Sequence, residues 1–309
     1  MSEKLYTLNN ISILVIGITK DGGKMLQHNV KKLLKMRKYV QTCDFLIYEN
    51  NSAQQTKDIL KKLKEKINGF DYVSEDLTKD QIEEICQTKT ENGKPCRIEL
   101  ITYARNKLQT EAKKRVFDQN GAADKPKYQY ILNIDLDVLL FNPLDSLKSL
   151  LRFAGTDFDC ITGCGMTKWL RYRDAYAFRS SSFPFGPEFM PEHWWDVTWH
   201  QIQQRYPKNL KISVYSAFGG AAVYKSEAYF AAVYNCHPTS PDFLQKHAEL
   251  VKKSNPSADQ IEKASQTPAP NTGYTAPIIC EHVPFHYKLI DLGFDKIFVD
   301  TSWRFIFKD

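Results

Sequence analysis

No run of this chain is apolar for long enough to cross a bilayer, and Met1-Ser-Glu-Lys-Leu-Tyr6 lacks the pattern of a signal peptide. The expectation is a cytoplasmic or otherwise soluble protein with no membrane anchor in this chain. No C-x-x-C pair occurs among the seven cysteines, at 43, 86, 96, 160, 164, 236 and 280, which argues against structural zinc. An odd, scattered set in 309 residues also argues against a disulfide framework, so these are expected to be buried thiols in a reducing compartment. Tracts of Arg and Lys interleaved with aromatics are missing too, which removes nucleic acid as a partner. The net charge of +6 is mild and suits a small anionic substrate. With 42% hydrophobic and 25% charged residues, the composition is that of one large globular domain or two closely joined ones.

What is present begins with Ile11-Ser-Ile-Leu-Val-Ile16, a buried strand, followed by the loop Gly17-Ile-Thr-Lys-Asp-Gly-Gly23. A helical pattern follows with Leu26, Val30, Leu33, Leu34 and Arg37, so the chain opens as a nucleotide-binding α/β unit. A P-loop is rejected, because it requires glycine where Ile18 stands and a hydroxyl residue where Met25 stands. A second strand, Phe45–Tyr48, ends in Glu49-Asn-Asn-Ser52, and Ser52 with Gln55 reads as a capping box for a helix carrying Ile59, Leu60, Leu63 and Ile67. From spacing alone, turn and cap chemistry is the favoured account of residues 49–52; the alternative is that an acidic residue ending this strand holds a base or ribose. Residues 75–96 are polar, and a helix from Arg97 to Phe117 turns Ile101, Ala104, Leu108, Ala112 and Val116 inward. Beside that stripe Arg105 either makes a surface salt bridge or binds diphosphate bidentately.

Within Lys127 to Phe141 a run rich in aromatic and branched residues reads as a buried strand, and Asp135 and Asp137 emerge where it should end. Burying carboxylates is costly without a partner, and a divalent cation satisfies two while leaving positions for water and phosphate oxygens. In extended backbone, residues two apart point the same way and reach one ion. A bare D-x-D arises by chance roughly once in a chain of this length. The control is Asp157-Phe-Asp159, which precedes an apolar run instead of ending one and reads as punctuation where a strand starts.

After a short helix begun by Pro143, the second half changes character. Trp169 to Trp199 holds four of the five tryptophans, with Tyr172, Tyr176, Phe178, Phe183, Phe185 and Phe189. Charged residues interleave with them, so the segment is either a carbohydrate-stacking surface or an aromatic core. Gly219 and Gly220 mark a close backbone approach, to a ligand or to a packed strand. Residues 252–277 read as a long surface loop, a lid or an insertion. Cys280-Glu-His282 and His286 precede a helix ending at Leu292, and their loop is expected to return histidines to the sheet edge.

Taken together, Tyr48–Thr56, Arg97-Ile-Glu with Ala104-Arg-Asn106, Leu132–Val138, Asp174–Arg179, Ser216–Gly220 and Cys280-Glu-His282 occur in one order that resembles a known family. The chain is similar to GT-A-type glycosyltransferases, particularly the group containing the fungal capsule-associated α-1,3-mannosyltransferases. It departs from that group at Gln54, where Asp is usual. The resemblance implies a GT-A-like (Rossmann-like) α/β fold, a mixed sheet flanked by helices. It implies a nucleotide-binding half over about residues 10–155 and an acceptor-binding half over about 156–309 of a single domain. It further implies a UDP- or GDP-linked sugar donor, with mannose or another hexose transferred to a glycan or other hydroxyl acceptor, and Mn²⁺ or Mg²⁺ as cofactor. Asp137 would ligate the metal, Asp135 the metal or ribose, and His282 would complete the coordination. Thr19, Glu49, Asn51 and Arg105 would hold the nucleoside and phosphates. An inverting enzyme also needs a carboxylate base, for which Asp174 and Glu192 lead Glu188 and Asp196. Two other readings compete: a sugar nucleotidyltransferase, whose opening loop should contain Arg, and a catalytically silent carbohydrate-binding protein that keeps the fold.

Overall fold

In the computed structural model, residues 8–117, 126–167, 172–186, 188–189, 211–254 and 273–307 are described, with 257, 258, 262 and 268 between them. The first half alternates strand and helix: β1 (Ser12–Thr19), α1 (Gly23–Leu33), β2 (Thr42–Asn50), α2 (Gln54–Lys66), β3 (Phe70–Glu75), α3 (Lys79–Ile85), α4 (Arg97–Val116) and β4 (Tyr130–Ile134). Then come β5 (Leu140–Phe141), α5 (Asp145–Phe153), β6 (Cys160–Met166), β7 (Lys211–Ser213), β8 (Ala221–Lys225), α6 (Ser226–Ala231), α7 (Pro241–Lys253), α8 (His282–Asp291) and β9 (Ile297–Ile306).

All nine described strands join one sheet in the order β3-β2-β1-β4-β8-β6-β9-β5, with β7 also paired to β9. β3, β2, β1 and β4 run parallel, whereas β8 lies antiparallel between β4 and β6. The architecture is thus α/β with a mixed sheet flanked by helices. Strand β1 shows why helices cover both faces. Ile13 and Val15 pack with Leu26 and Val30 of α1, while Leu14 and Ile16 pack with Ala104 and Leu108 of α4. Alternate side chains of a strand leave opposite faces, so an all-apolar strand needs a layer on each side. Each such fully buried aliphatic side chain stabilises by about 1.5–3 kcal/mol. The parallel order 3-2-1-4 reverses direction between β1 and β4, and ligands of such sheets gather at that reversal, beyond the strands' carboxyl ends. No helix among the described residues is long and apolar enough to cross a membrane.

Several local expectations are corrected. Ser52 does not cap α2, whose N-cap is Ala53; its hydroxyl instead accepts from the Asp21 amide at 3.1 Å. The capping box lies at Thr78 and Gln81 of α3, inside the segment that looked merely polar. The strand before the acidic pair does end there, at Ile134. His282 and His286 sit on α8, not on a loop before it. Tyr172, Phe178, Phe183, Phe185 and Phe189 are buried core residues and offer no stacking surface. Trp169, Trp194, Trp195 and Trp199 lie outside the described residues, as does most of the loop after α7.

Candidate active site

Asp135 and Asp137 stand where β4 ends, at the reversal point of the sheet. The Asp135 amide donates to the Gly220 carbonyl at 2.9 Å, the last rung beyond the β4–β8 ladder. Leu136 and Asp137 then form a turn, so the two carboxylates are not carried by extended backbone as their spacing suggested. Leu136 is buried, and fully buried Asn29 of α1 pins the turn by donating Nδ2 to the carbonyls of Leu136 (3.0 Å) and Val138 (2.9 Å). Nothing about an asparagine on an amphipathic helix advertised that role.

Arg105 reaches this turn from α4. It is buried, not a surface residue, and each of its three nitrogens has a partner. Nε donates to Glu281 Oε1 at 2.6 Å, one terminal nitrogen to Asn133 Oδ1 at 3.2 Å, and the other to Asp135 Oδ1 at 3.5 Å. The flat face lies 4.8 Å from the centre of the Phe218 ring. The imidazole of His282 also stacks on Phe218, at 4.0 Å. Glu281, missed as a site residue because it looked like a neighbour of the histidine, is therefore the main counter-charge of Arg105.

Negative charge exceeds positive at this ridge. Burial pushes the Asp135 carboxyl up to about 7; Asp137, Asp174 and Glu281 add to the rise and Arg105 only partly opposes it. Asp174 is also raised, by burial first, although the Gly219 amide donates to its Oδ2 at 2.8 Å. Burial, with Arg105 and His286 adding, holds His282 neutral; among the described residues neither ring nitrogen makes a hydrogen bond, although Nε2 lies 3.5 Å from Glu281 Oε1. His286 is different. Its ring is clasped between the Ser216 hydroxyl (3.0 Å) and the Tyr224 hydroxyl (2.9 Å), which commits both nitrogens to the core.

Two cavities flank the ridge. One, of about 490 Å³, lies over the ends of β1, β2 and β4 and is lined by Ile18, Thr19, Lys20, Asn50, Pro95 and Leu100 among others. The other, of about 410 Å³, is lined by Arg173, Asp174, Tyr176, Phe218, Gly220, Tyr274 and His282 among others. Arg97, Ile101, Arg105, Asp135, Asp137 and Glu281 border both. Ile101 therefore serves the cavity wall and not the interior stripe to which its helical spacing assigned it.

The expected site residues divide accordingly. Thr19, Arg105, Asp135, Asp137, Asp174, Gly220 and His282 are brought to the cavities. Gly219 supplies the amide that holds Asp174, and both glycines have positive φ, 63° and 89°. A Cβ at Gly220 would run into the Phe307 ring, so this position answers to a packed strand as well as to the cavity. Glu49 and Asn51 are not brought there. Glu49 is fully buried and accepts from the Ser52 amide and the Ser74 hydroxyl; Asn51 ties its loop to the Leu77 backbone. Turn chemistry accounts for both, and the neighbouring Asn50 lines the cavity instead. Glu188 is locked in a fully buried bidentate pair with Arg179, at 2.8 and 3.0 Å, which removes it as a base. Glu192 and Asp196 lie outside the described residues.

The donor set suits a hard divalent cation: carboxylate oxygens dominate, and one buried Arg leaves their charge incompletely balanced. Among the described residues no three His, Cys, Asp or Glu side chains converge on one point as a metal-holding group. A cation at Asp135 and Asp137 would thus complete its shell from water and substrate oxygens.

Residues 13–263 match the model of the family described as Cryptococcal mannosyltransferase 1. No curated protein matches the chain. Among solved structures, the chain is similar to a mycobacterial protein at 10% identity and a TM-score of 0.47, covering 100% of this chain and 72% of that one. It is similar to residues 1–349 of S. aureus TarS in complex with UDP-GlcNAc, at 11% identity and a TM-score of 0.44, covering 97% of this chain and 59% of that one. It is also similar to the mannosyltransferase PcManGT from Pyrobaculum calidifontis in complex with GDP-Man and Mn²⁺, at 9% identity and a TM-score of 0.44, covering 96% and 56%. The chain belongs to the Cryptococcal mannosyltransferase 1 family and is a glycosyltransferase.

Proposed function

We propose that this glycosyltransferase moves a hexose, mannose being the first candidate, from a nucleotide-diphospho-sugar to a hydroxyl of a glycan or glycoconjugate, with a divalent cation. The observation that carries this reading is the acidic ridge shared by two cavities at the reversal point of the sheet. The larger cavity takes the nucleoside. Its walls from Ile18, Pro95 and Leu100 suit a planar base, and Thr19, Lys20 and Asn50 supply polar contacts. The smaller cavity takes the sugar and the acceptor hydroxyl, with Asp174, Arg173 and Tyr176 at its wall.

Asp135 and Asp137 would hold Mn²⁺ or Mg²⁺; His282 lines the same cavity, with Nε2 3.5 Å from Glu281 Oε1, and would have to move toward the pair to add a third ligand. Bound there, the cation supplies charge stabilisation to the diphosphate as it leaves. The chain's own residues do the rest. Arg105, held by Glu281 and Asn133, fixes the position of Asp135. Asp174 is the described carboxylate of the sugar cavity outside that ridge, and its raised affinity for a proton suits it to accept one from the acceptor hydroxyl. In that step the acceptor oxygen bonds to the anomeric carbon, the bond from that carbon to the diphosphate oxygen breaks, and the hydroxyl proton passes to Asp174.

A thermal-shift screen of UDP, GDP, CDP and dTDP, with and without Mn²⁺, tests the donor site on the wild type and Asp137→Ala. A ligand at about 100 times its Kd adds about 2.7 kcal/mol to the native state. One nucleotide should raise the midpoint in a Mn²⁺-dependent way, and Asp137→Ala should abolish the rise. Absence of any shift in folded wild-type protein would overturn the reading.

A further inference from the structure

We infer that Arg97, and not Arg105, is the side chain that binds the donor's diphosphate. The inference rests on the assignment of nucleoside and sugar to the two cavities. A diphosphate is the part of such a donor that joins the nucleoside to the sugar, so it must cross the residues common to both cavities. Those are Arg97, Ile101, Arg105, Asp135, Asp137 and Glu281, and just two of them are cations.

The two arginines differ in what they have left to offer. Arg105 is buried, its three nitrogen positions are directed at Glu281, Asn133 and Asp135, and its face is covered by Phe218. To turn a free bidentate edge to phosphate it would have to loosen its hold on Glu281, Asn133 or Asp135, and breaking the buried pair with Glu281 is strongly unfavourable. It acts as a positioning residue. Arg97, at the start of α4, is exposed, and no hydrogen bond or ion pair engages its guanidinium among the described residues. Its planar fork matches two phosphate oxygens at once. The remaining cations stand on one side each: Lys20 borders the nucleoside cavity alone, and Arg173 the sugar cavity alone, where it covers the Phe307 ring at 4.3 Å. Neither spans the crossing. Glu281 borders the same crossing but is already paired to Arg105, so it leaves Arg97 uncompensated.

The test is calorimetric titration of wild type, Arg97→Ala and Arg97→Lys with uridine, UDP, guanosine and GDP at fixed Mn²⁺. Arg97→Ala should weaken the diphosphate of the preferred base by about 10- to 100-fold, the range for a charge-assisted hydrogen bond, and leave the matching nucleoside within about twofold. Arg97→Lys keeps the charge but not the fork and should lose less. Unchanged diphosphate affinity in Arg97→Ala would overturn the inference. So would an equal loss for nucleoside and diphosphate, which would assign Arg97 to the base or to the fold. Failure of the wild type to bind any of the four would remove the donor-site reading itself, a separate result from either.

Discussion

Two stretches of this chain carry the same acidic pattern and end up with opposite physics. Asp135-Leu-Asp137 follows β4, and Asp157-Phe-Asp159 precedes β6. The first lies at the strand's carboxyl end, where its carboxylates meet Arg105, Asp174 and Glu281 at the junction of two cavities. The second lies at a strand's amino end. Asp157 pairs with Lys225 at 2.9 Å and with Lys296, and Asp159 accepts from the Lys296 amide at 3.1 Å. Polarity of the adjoining strand, and not the tripeptide, decides which pair is a candidate site. Asp157, paired to surface lysines, is neutralised and stays wet, while Asp159 is buried and tied to the Lys296 backbone; Asp135, held against a buried Arg among further carboxylates, remains short of positive charge.

The largest expected contrast is in stability. Arg105→Ala should cost about 3–5 kcal/mol in urea unfolding, because it strands a buried Glu281 beside Asp135. Lys296→Ala, which removes an exposed partner of Asp157, should leave the unfolding midpoint unchanged. Equal costs would erase the distinction between the two pairs.

Turnover gives the next contrast. Asp137→Asn should lower kcat about 10²- to 10³-fold with the unfolding midpoint retained, as expected when a group that stabilises transition-state charge is lost. Asp157→Asn should retain the wild-type rate. A slow Asp157→Asn enzyme would mean that the second pair also serves the reaction.

The subtlest contrast is the sign of pH dependence. Asp135 is raised from its ordinary 3.8 to about 7, so its contribution to stability is fully present below pH 3.8 and is lost as pH rises through 7. Asp157 is lowered to about 2 by Lys296 and Lys225, so its contribution is present above pH 3.8 and is lost as pH falls through 2. Relative to wild type, Asp135→Asn should therefore gain stability progressively as pH rises from about 4 to 7, whereas the difference between Asp157→Asn and wild type, small because that carboxylate is exposed, should change only as pH falls from about 4 to 2. The second effect should shrink in high salt. Parallel pH profiles for the two variants would contradict the electrostatics described.

The sequence by itself determined the alternation of strand and helix, because apolar runs of β-branched residues and helical stripes are local patterns. It determined Asp135 and Asp137 as the probe-worthy pair, since their position after a strand is also local. The hydrophobic spacing of Arg97–Val116 likewise foretold α4 nearly to the residue. Other features were decided by tertiary structure alone. Glu49 and Asn51 looked like nucleotide contacts, but distant partners, Ser74 and Leu77, captured them and left Asn50 to line the cavity. Arg105 looked available for phosphate until Glu281, 176 positions later, claimed it. The aromatic segment read equally as surface or core, and packing turned its described members inward. Local patterns specify which elements form, whereas the freedom of a charged side chain to meet a ligand depends on what folding sets against it. For this protein that difference separates the arginine held in the interior from the one left at the crossing of the two cavities.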